Sequence, residues 1–195
     1  PIVLNLPGEH NVLNALAAIS VAVELGVDDA AVQRALASFK GVGRRFQRYG
    51  EIPLLSGGSF TLIDDYGHHP TEITVTLVAA KRYAGDGKVI VIFQPHRFSR
   101  TQAFLAEFAT SLDLADDVTL LEIYAASEKP IDGVTSKLIT SKMRKGEYIP
   151  NFVEVTDSVI AMAEPGDVIM TLGAGDVSSI APIIVDGLTR RFEQS

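Results

Sequence analysis

The chain has 195 residues, of which 47% are hydrophobic and none is cysteine, and its formal net charge is -7. The lack of cysteine excludes disulfides, thiolate metal ligands and a cysteine nucleophile, and it favours the reducing cytoplasm as the location. The acidic balance, with no basic stripe, argues against binding to nucleic acid or to an anionic membrane. No apolar run reaches the roughly 18 residues of a membrane-spanning helix, so we expect no membrane partner.

The length predicts one folded domain or one and a half, with a core that needs no covalent cross-links. The chain begins at Pro1, inside the apolar run PIVLNL rather than at a methionine. We therefore expect it to be part of a longer protein, whose preceding part supplies chemistry that these residues lack.

The first 40 or so residues predict two helices. Residues 11–25 are rich in Ala and Leu, which predicts a mostly buried helix that ends at Gly26. Asp28 lies where it can cap a second helix, which we expect to end before Gly41.

The segment GVGRRF at 41–46 then combines two glycines with Arg44 and Arg45. We place a domain boundary here, with 1–45 as the helical end of an upstream domain and 46–195 as a second domain. An arginine fork suits a phosphate group, but a solvated basic pair in a linker fits the segment as well.

Beyond the boundary, strands and helices alternate, which predicts an α/β fold with an open, mostly parallel sheet. The runs VIVIF and VIMTL are continuously apolar, as is typical of strands covered on both faces. The segment 48–66 predicts two strands around a Gly-Gly turn. The predicted strands are FTLIDDY (60–66), KVIVIFQ (88–94), DVTLLEIY (117–124), NFVEVT (151–156) and DVIMTLG (167–173). The predicted helices are roughly 70–84, 100–115, 135–145, 157–164 and 176–193.

In such sheets, ligands bind beyond the carboxyl ends of the strands. The predicted strand ends read IDDYGHHP, FQPHR, LEIYAASE and TLGAGD, so polar and titratable residues collect at the expected edge. All four histidines lie at a strand end or a helix start: His10, His68, His69 and His96. This predicts a functional site, although turns also attract polar residues without any function.

The segment DDYGHHP allows several interpretations. Neighbouring strand residues point to opposite faces, so Asp64 and Asp65 cannot join one metal site unless the strand has already ended. A carboxylate at a strand end can instead hold a ribose hydroxyl. The segment can also be a turn with Pro70 as the first helical residue. A metal-dependent phosphoesterase that uses both aspartates with His68 and His69 remains a further alternative.

Two pairs of side chains are spaced for ligand binding. Asn11 and Asn14 share one helix face, and their amides can match an adenine edge, but helix capping by His10 or Asn11 is the more common role of such residues. Arg97 and Arg100 follow a strand at a helix start, where cations are unfavourable unless an anion binds. Together with helix-start amides they predict a carboxylate or phosphate clamp.

Two glycine motifs are less informative. GAGD at 173–176 fits a weak dinucleotide fingerprint and a tight turn equally well. GDGK at 85–88 is not a P-loop, because Lys88 opens a strand rather than a helix.

Taken in order, PGEHNVLNALAA, GVGRRFQ, DDYGHHPTE, QPHRFSRT and GAGD resemble the Mur ligases, and the resemblance covers nearly the whole chain. The pattern is most similar to the members that join L-alanine to UDP-N-acetylmuramate in peptidoglycan precursor synthesis. The run QPHRFSRT argues against the murein-peptide recycling ligases, which carry a similar HHP segment.

The resemblance implies a Rossmann-like C-terminal ligase domain preceded by the end of the central ATP-binding domain. It implies ATP and Mg²⁺, with the P-loop and the Mg²⁺ ligands upstream and no metal ligand in this chain. The sugar carboxylate would take the γ-phosphoryl group, and the alanine amine would attack the acyl phosphate. The chain alone would then be inactive, or only a binding module.

The resemblance also implies roles for individual residues, although none is a certain catalytic residue. His68 and His96 match recurrent histidines that are candidates for catalysis. The residues implied to bind the amino acid are Tyr66, Arg97 and Arg100. Those implied to bind ATP are His10, Asn11, Asn14, Arg45 and Asp65.

Overall fold

A computed structural model describes residues 1–6, 8–39 and 41–193 and shows one six-stranded sheet with helices on both faces. The strands are β1 (Gln47–Pro53), β2 (Ser59–Asp65), β3 (Val89–Phe93), β4 (Asp117–Leu120), β5 (Glu147–Tyr148) and β6 (Val168–Leu172). The helices are α1 (Glu9–Glu24), α2 (Asp29–Ser38), α3 (Pro70–Ala84), α4 (Phe98–Ala103), α5 (Leu105–Leu112), α6 (Ser136–Thr140), α7 (Phe152–Met162) and α8 (Ile180–Glu193). A short 3-10 helix, Asp176–Ser179, precedes α8.

The strand order is β1-β2-β6-β3-β4-β5, and only the β1–β2 pair is antiparallel. These two strands form the predicted hairpin, closed by a hydrogen bond from the Leu54 amide to the Gly58 carbonyl (2.9 Å). The predicted α/β class with a mostly parallel sheet is therefore confirmed. Because the carboxyl ends of the parallel strands lie along one edge, the loops that follow them come together there.

The apolar strands carry a core on each face, as their continuous hydrophobicity predicts. Val91 and Phe93 of β3 face a cluster that includes Leu77 of α3 and Phe108 of α5. The alternate residues of β3 face a second cluster, together with α7 and α8. Each fully buried side chain of this size contributes roughly 1.5–3 kcal/mol, so this double-sided burial fixes the frame to which the site loops attach.

Helix α3 begins where the sequence predicts because its first turn is capped twice. Pro70 occupies the first helical position, and the side chains of His69 and Glu72 form a reciprocal capping box. The helix ends at Gly85, whose φ is 60°. The segment HHPTE thus serves as the entry turn of a helix as well as a strand end.

Helix α1 was predicted to be mostly buried, which is wrong for the part of the chain that the structure describes. None of its residues is buried, and Leu13 and Val23 are 62% and 60% exposed. Helix α2 packs against α1. The predicted end at Gly26 is correct: the amides of Gly26 and Val27 close a Schellman motif on Val23 and Ala22.

The predicted strand NFVEVT is also wrong, because these residues begin helix α7. The Asn151 side chain caps this helix by accepting hydrogen bonds from the amides of Val153 (2.8 Å) and Glu154 (3.2 Å). Val155 and Val159 then face the core four residues apart, which is helical spacing.

Smaller differences concern element lengths. The predicted helix 100–115 is divided at Phe104 into α4 and α5, and the predicted helix 135–145 shrinks to α6. Strand β4 ends at Leu120, and the two-residue β5 was not predicted. Among the described residues, no helix is long and apolar enough to cross a membrane. The division of the chain into domains at residue 45 stays a prediction.

Candidate functional site

The two adjacent aspartates at the end of β2 are held by different parts of the protein. Asp64 is fully buried and accepts hydrogen bonds from the Thr171 hydroxyl (2.6 Å) and from Arg44 Nε (3.2 Å). Asp65 accepts from the backbone amides of Phe46 (2.7 Å) and Gly67 (2.7 Å). The two carboxylates therefore do not converge, and each is already engaged by groups within the chain.

Asp65 connects β2 to residues 41–46, which we call the arginine loop. Burial raises the pKa of the Asp65 carboxyl, although the Phe46 and Gly67 amides oppose this effect. Arg44 fastens the same loop by donating to Asp64 and to the Gly173 carbonyl at the end of β6. The loop is thus attached to two neighbouring strand ends.

The histidine pair of the entry turn is organised around Glu72. Its carboxylate accepts from the amides of His68 (3.0 Å) and His69 (3.1 Å), and it lies 3.9 Å from Arg45 Nη1. Partial burial works to raise the pKa of Glu72, but the amide hydrogen bonds and the charges of His68 and Arg45 lower it overall. His69 Nδ1 accepts from the Thr71 amide as a helix cap, so the two histidines have different environments.

Four rings from three strand ends form a continuous row, which we call the ring row: Tyr66, His68, His96 and Tyr124. The centroid distances are 5.2 Å between Tyr66 and His68, 5.6 Å between His68 and His96, and 5.6 Å between His96 and Tyr124. The last pair is stacked, with an interplanar angle of 14°. The ring row therefore joins the loops after β2, β3 and β4 into one surface.

Arginines lie at two places along the ring row. The guanidinium carbons of Arg44 and Arg45 lie 5.0 Å and 5.6 Å from the Tyr66 ring centroid. Beside the third ring, Arg100 Nη1 lies 3.3 Å from His96 Nδ1. Burial, reinforced by nearby positive groups of which Arg100 is the strongest, lowers the pKa of His96. A neutral His96 can accept the Arg100 hydrogen bond, which leaves the rest of the guanidinium for an anion.

The helix-start amides that the sequence assigns to a ligand clamp are arranged differently. The Ser99 amide, in the first turn of α4, donates to Glu128 Oε2 (3.0 Å), and the Ser99 hydroxyl donates to Glu128 Oε1 (2.5 Å). An acidic side chain of the protein therefore occupies the position predicted for a ligand anion. Arg97 is the N-cap residue of α4, with φ 77°, and its side chain is exposed.

A cavity of about 550 Å³ lies between the two N-terminal helices and α3. Its apolar wall includes Leu36, Phe39 and Val75. The sequence-predicted ATP-binding residues all line it: His10, Asn11, Asn14, Arg45 and Asp65. The capping alternative for His10 and Asn11 is wrong, because Gly8 is the N-cap of α1 and no side chain caps that helix.

This geometry does not favour a metal site. Within residues 1–6, 8–39 and 41–193, no group of three or more His, Asp and Glu side chains is arranged to hold a metal ion. The strand-end segment GAGD is closely packed in the structure: a Cβ at Gly175 would lie 2.2 Å from Gln94 Oε1 and 2.8 Å from Tyr124.

The family model described as "Mur ligase, glutamate ligase domain" matches residues 44–175, which is more than half of the chain. The chain belongs to the Mur ligase family. The resemblance that the sequence motifs indicated is therefore confirmed, and the ring row lies within the residues that match this family.

Individual relatives agree with this assignment. The chain is 48% identical over 185 residues to the UDP-N-acetylmuramate–L-alanine ligase of Burkholderia thailandensis, covering 92% of this chain and 40% of that protein. The same enzyme of Burkholderia pseudomallei strain 668 gives the same identity and coverage. The chain thus spans about 40% of the length of the curated relatives it matches.

Solved structures of Mur ligases superpose on nearly the whole chain. The UDP-N-acetylmuramate–alanine ligase of Thermotoga maritima has a TM-score of 0.77 and 33% identity, covering 97% of this chain and 40% of that one. The murein peptide ligase of Psychrobacter arcticus has a TM-score of 0.70 and 25% identity, covering 96% of this chain and 38% of that one.

Sequence reasoning missed three residues of the candidate site. Tyr124 stacks on His96, and Glu128 accepts a hydrogen bond from the Ser99 amide at the start of α4. The Gln94 side chain donates to the Asp176 carboxylate (2.6 Å) and accepts from the Val177 amide (3.0 Å). All three follow β3 or β4, and the strand end LEIYAASE was the only signal for the first two. The pairing of their loops becomes visible only with the strand order.

Proposed function

We propose that the protein containing this chain is an ATP-dependent ligase that joins L-alanine to UDP-N-acetylmuramate in peptidoglycan precursor synthesis. The observation that carries the proposal is the ring row with arginines beside Tyr66 and His96, adjoining a cavity lined by amide side chains and Arg45. Such a surface suits substrates that carry phosphate and carboxylate groups. The 48% identity to L-alanine-adding relatives supports this choice of amino acid.

The cavity fits a nucleotide in its chemistry. Its apolar wall can cover a purine ring, Asn11 and Asn14 can pair with the adenine edge, and His10 lies beside them. We propose that Arg45 reaches the phosphates and that Asp65, which lines the same cavity, faces the ribose. ATP supplies the phosphoryl group that activates the sugar carboxylate. We expect the P-loop and the Mg²⁺ ligands in the part of the Mur ligase that this chain does not cover.

The ring row is proposed to receive the amino acid. Arg97 and Arg100 would hold the alanine carboxylate, because a guanidinium pairs with a carboxylate through two parallel hydrogen bonds. Tyr66 would contact the same substrate, while His68 and His96 are candidates for steering the amine toward the acyl phosphate. Neither side chain needs to be a nucleophile, since positioning and charge stabilisation supply most of the catalysis in phosphoryl transfer.

The alternatives are not favoured. A murein-peptide recycling ligase is represented among the similar structures at 25% identity, against 33% for the Thermotoga maritima alanine ligase. A phosphoesterase would need metal ligands, yet among the described residues no group of three or more His, Asp and Glu side chains is arranged to hold a metal ion. We propose action in the cytoplasm, where ATP and UDP-sugars are available, with a role in cell-wall formation, cell shape and division.

Product analysis tests the proposal. The complete ligase is incubated with ATP, Mg²⁺, UDP-N-acetylmuramate and L-alanine, and the mass of the UDP-sugar product is measured by mass spectrometry. We expect the mass of one alanine residue to be added by the complete enzyme and not by the 195-residue chain alone. Addition of a peptide but not of alanine would contradict the proposed substrate, and ligation by the isolated chain would contradict its dependence on the missing part.

A further inference from the structure

Backbone conformations of high energy are concentrated around the ring row. Among the residues that the structure describes, five other than glycine have a clearly positive φ: Arg44 (59°), Phe46 (48°), Arg97 (77°), Ala126 (48°) and Ser127 (71°). All five lie in the loops that carry the ring row or its arginines. A strained backbone persists only where surrounding contacts hold it, and such positions cluster at functional sites.

Ala126 and Ser127 form the centre of a tight turn closed by a hydrogen bond from the Glu128 amide to the Ala125 carbonyl (3.0 Å). Positive φ at both central residues is the feature of a type I′ turn, which normally takes Gly, Asn or Asp there. An alanine and a serine in these positions give the turn no local advantage. Its visible consequence is that the chain turns back and brings Glu128 to the start of α4.

Glu128 uses both carboxylate oxygens on a single residue of α4, the amide and the hydroxyl of Ser99. Two residues earlier, the Arg97 amide donates to the Tyr124 carbonyl (2.8 Å), and the Tyr124 amide donates to the Pro95 carbonyl (2.8 Å). The loop after β4 is therefore hydrogen-bonded to the loop after β3 on both sides of Arg97. This double attachment holds Arg97 in the left-handed region and fixes the direction in which α4 leaves the sheet.

We propose that Glu128 is a positioning residue for amino-acid binding: through Ser99 it fixes the turn that aims Arg97 and Arg100 along the ring row. The inference rests on the proposed function of this site. Glu128 acts through Ser99, because each of its carboxylate oxygens accepts a hydrogen bond from that residue. Arg100 depends on the same support because it lies one residue beyond Ser99 and contacts His96 at 3.3 Å.

Kinetics of the complete ligase test this inference. In Glu128→Ala, the KM for L-alanine should rise about tenfold, because small displacements of substrate-orienting groups have large kinetic effects. The KM for ATP should stay within about twofold of the unaltered enzyme. Glu128→Gln keeps one acceptor oxygen for Ser99 and should recover most of the alanine KM. Glu154→Gln removes the same charge from the first turn of α7 and serves as the matched control.

Hydrogen exchange at the Ser99 amide supplies a readout that does not depend on substrates. Protection should be lost in Glu128→Ala and largely retained in Glu128→Gln. An alanine KM that stays unchanged although Ser99 has lost its protection would overturn the inference. Parallel rises in the KM values of alanine and ATP, with a lower melting temperature, would overturn it as well, since they indicate a general structural role.

The same experiment separates this inference from the proposed function. If the unaltered ligase releases phosphate without any dependence on L-alanine, the proposed function is overturned and the role of Glu128 with it. If the unaltered ligase depends on L-alanine and Glu128→Ala leaves the alanine KM as it was, only the positioning role fails.

Discussion

Asp65 should stabilise the fold by holding the arginine loop to the end of β2, and Asp65→Asn tests this directly. The carboxylate accepts two backbone hydrogen bonds of 2.7 Å, from the amides of Phe46 and Gly67, and the residue is only 5% exposed. Asparagine has a single acceptor oxygen, so its NH₂ group would face one of the two amides. Losing a hydrogen bond to a charged group costs about 1.5–3 kcal/mol.

The net effect should fall at or just below the lower end of that range. Burial raises the pKa of the Asp65 carboxyl, which means that the charged form is penalised in the fold, and the neutral amide escapes this penalty. We therefore expect a loss of about 1–2 kcal/mol in the free energy of unfolding. In a chain of this size, that corresponds to a melting temperature lower by roughly 2–8 °C.

Thermal unfolding followed by circular dichroism at neutral pH is the assay. Asp28→Asn is the matched control, because Asp28 makes one capping contact with the Ala31 amide (3.1 Å) and asparagine caps a helix equally well. Its melting temperature should stay within about 1–2 °C of the unaltered chain. Equal melting temperatures for the two variants would refute the account of Asp65 as the attachment of the arginine loop.

Three further predictions concern the complete ligase. Replacing Arg97 or Arg100 by alanine should raise the KM for L-alanine by about 10- to 100-fold, because a charge-assisted pair with the alanine carboxylate is lost. The KM for ATP should change far less, and unchanged alanine kinetics in both variants would remove the assignment. Asn14→Ala should raise the KM for ATP with little effect on alanine, and the reverse pattern would contradict the nucleotide cavity. The alanine KM should stay flat from pH 8 to about 6.5 and rise below it, because the pKa of His96 is lowered and protonation ends its role as acceptor for Arg100. His96→Asn should flatten this profile, and a rise that begins above pH 7 would contradict the prediction. The charged and titratable groups near His96 are His68, Arg97, Arg100, Tyr124 and Glu128.

The sheet could be predicted because its strands are short, continuously apolar and bounded by polar turns. Val89–Phe93 and Val168–Leu172 are fully buried, and in such strands hydrophobicity alone indicates burial on both faces. Residues 151–156 misled the same reasoning, since alternating valines resemble a strand while Asn151 and the spacing of Val155 and Val159 produce a helix. The exposed face of α1 could not be foreseen either, because its composition is that of a buried helix.

The candidate site could be predicted in part, for a related reason. Polar residues at strand ends pointed to the edge of the sheet where the ring row lies, and local spacing was enough to single out Arg97 with Arg100. Tyr124 and Glu128 depend on the pairing of β3 with β4, which sequence periodicity does not determine. The positive φ of Arg97 was also invisible, since an arginine carries no sequence signal for that conformation.

Phosphate release by the complete ligase tests the central claim most directly. The enzyme is supplied with ATP and Mg²⁺, and UDP-N-acetylmuramate and L-alanine are added separately and together. The account predicts that release requires both substrates, and that a peptide does not replace alanine. Phosphate release that is independent of the sugar and of the amino acid would contradict the assignment of the ring row and its arginines to a ligase site.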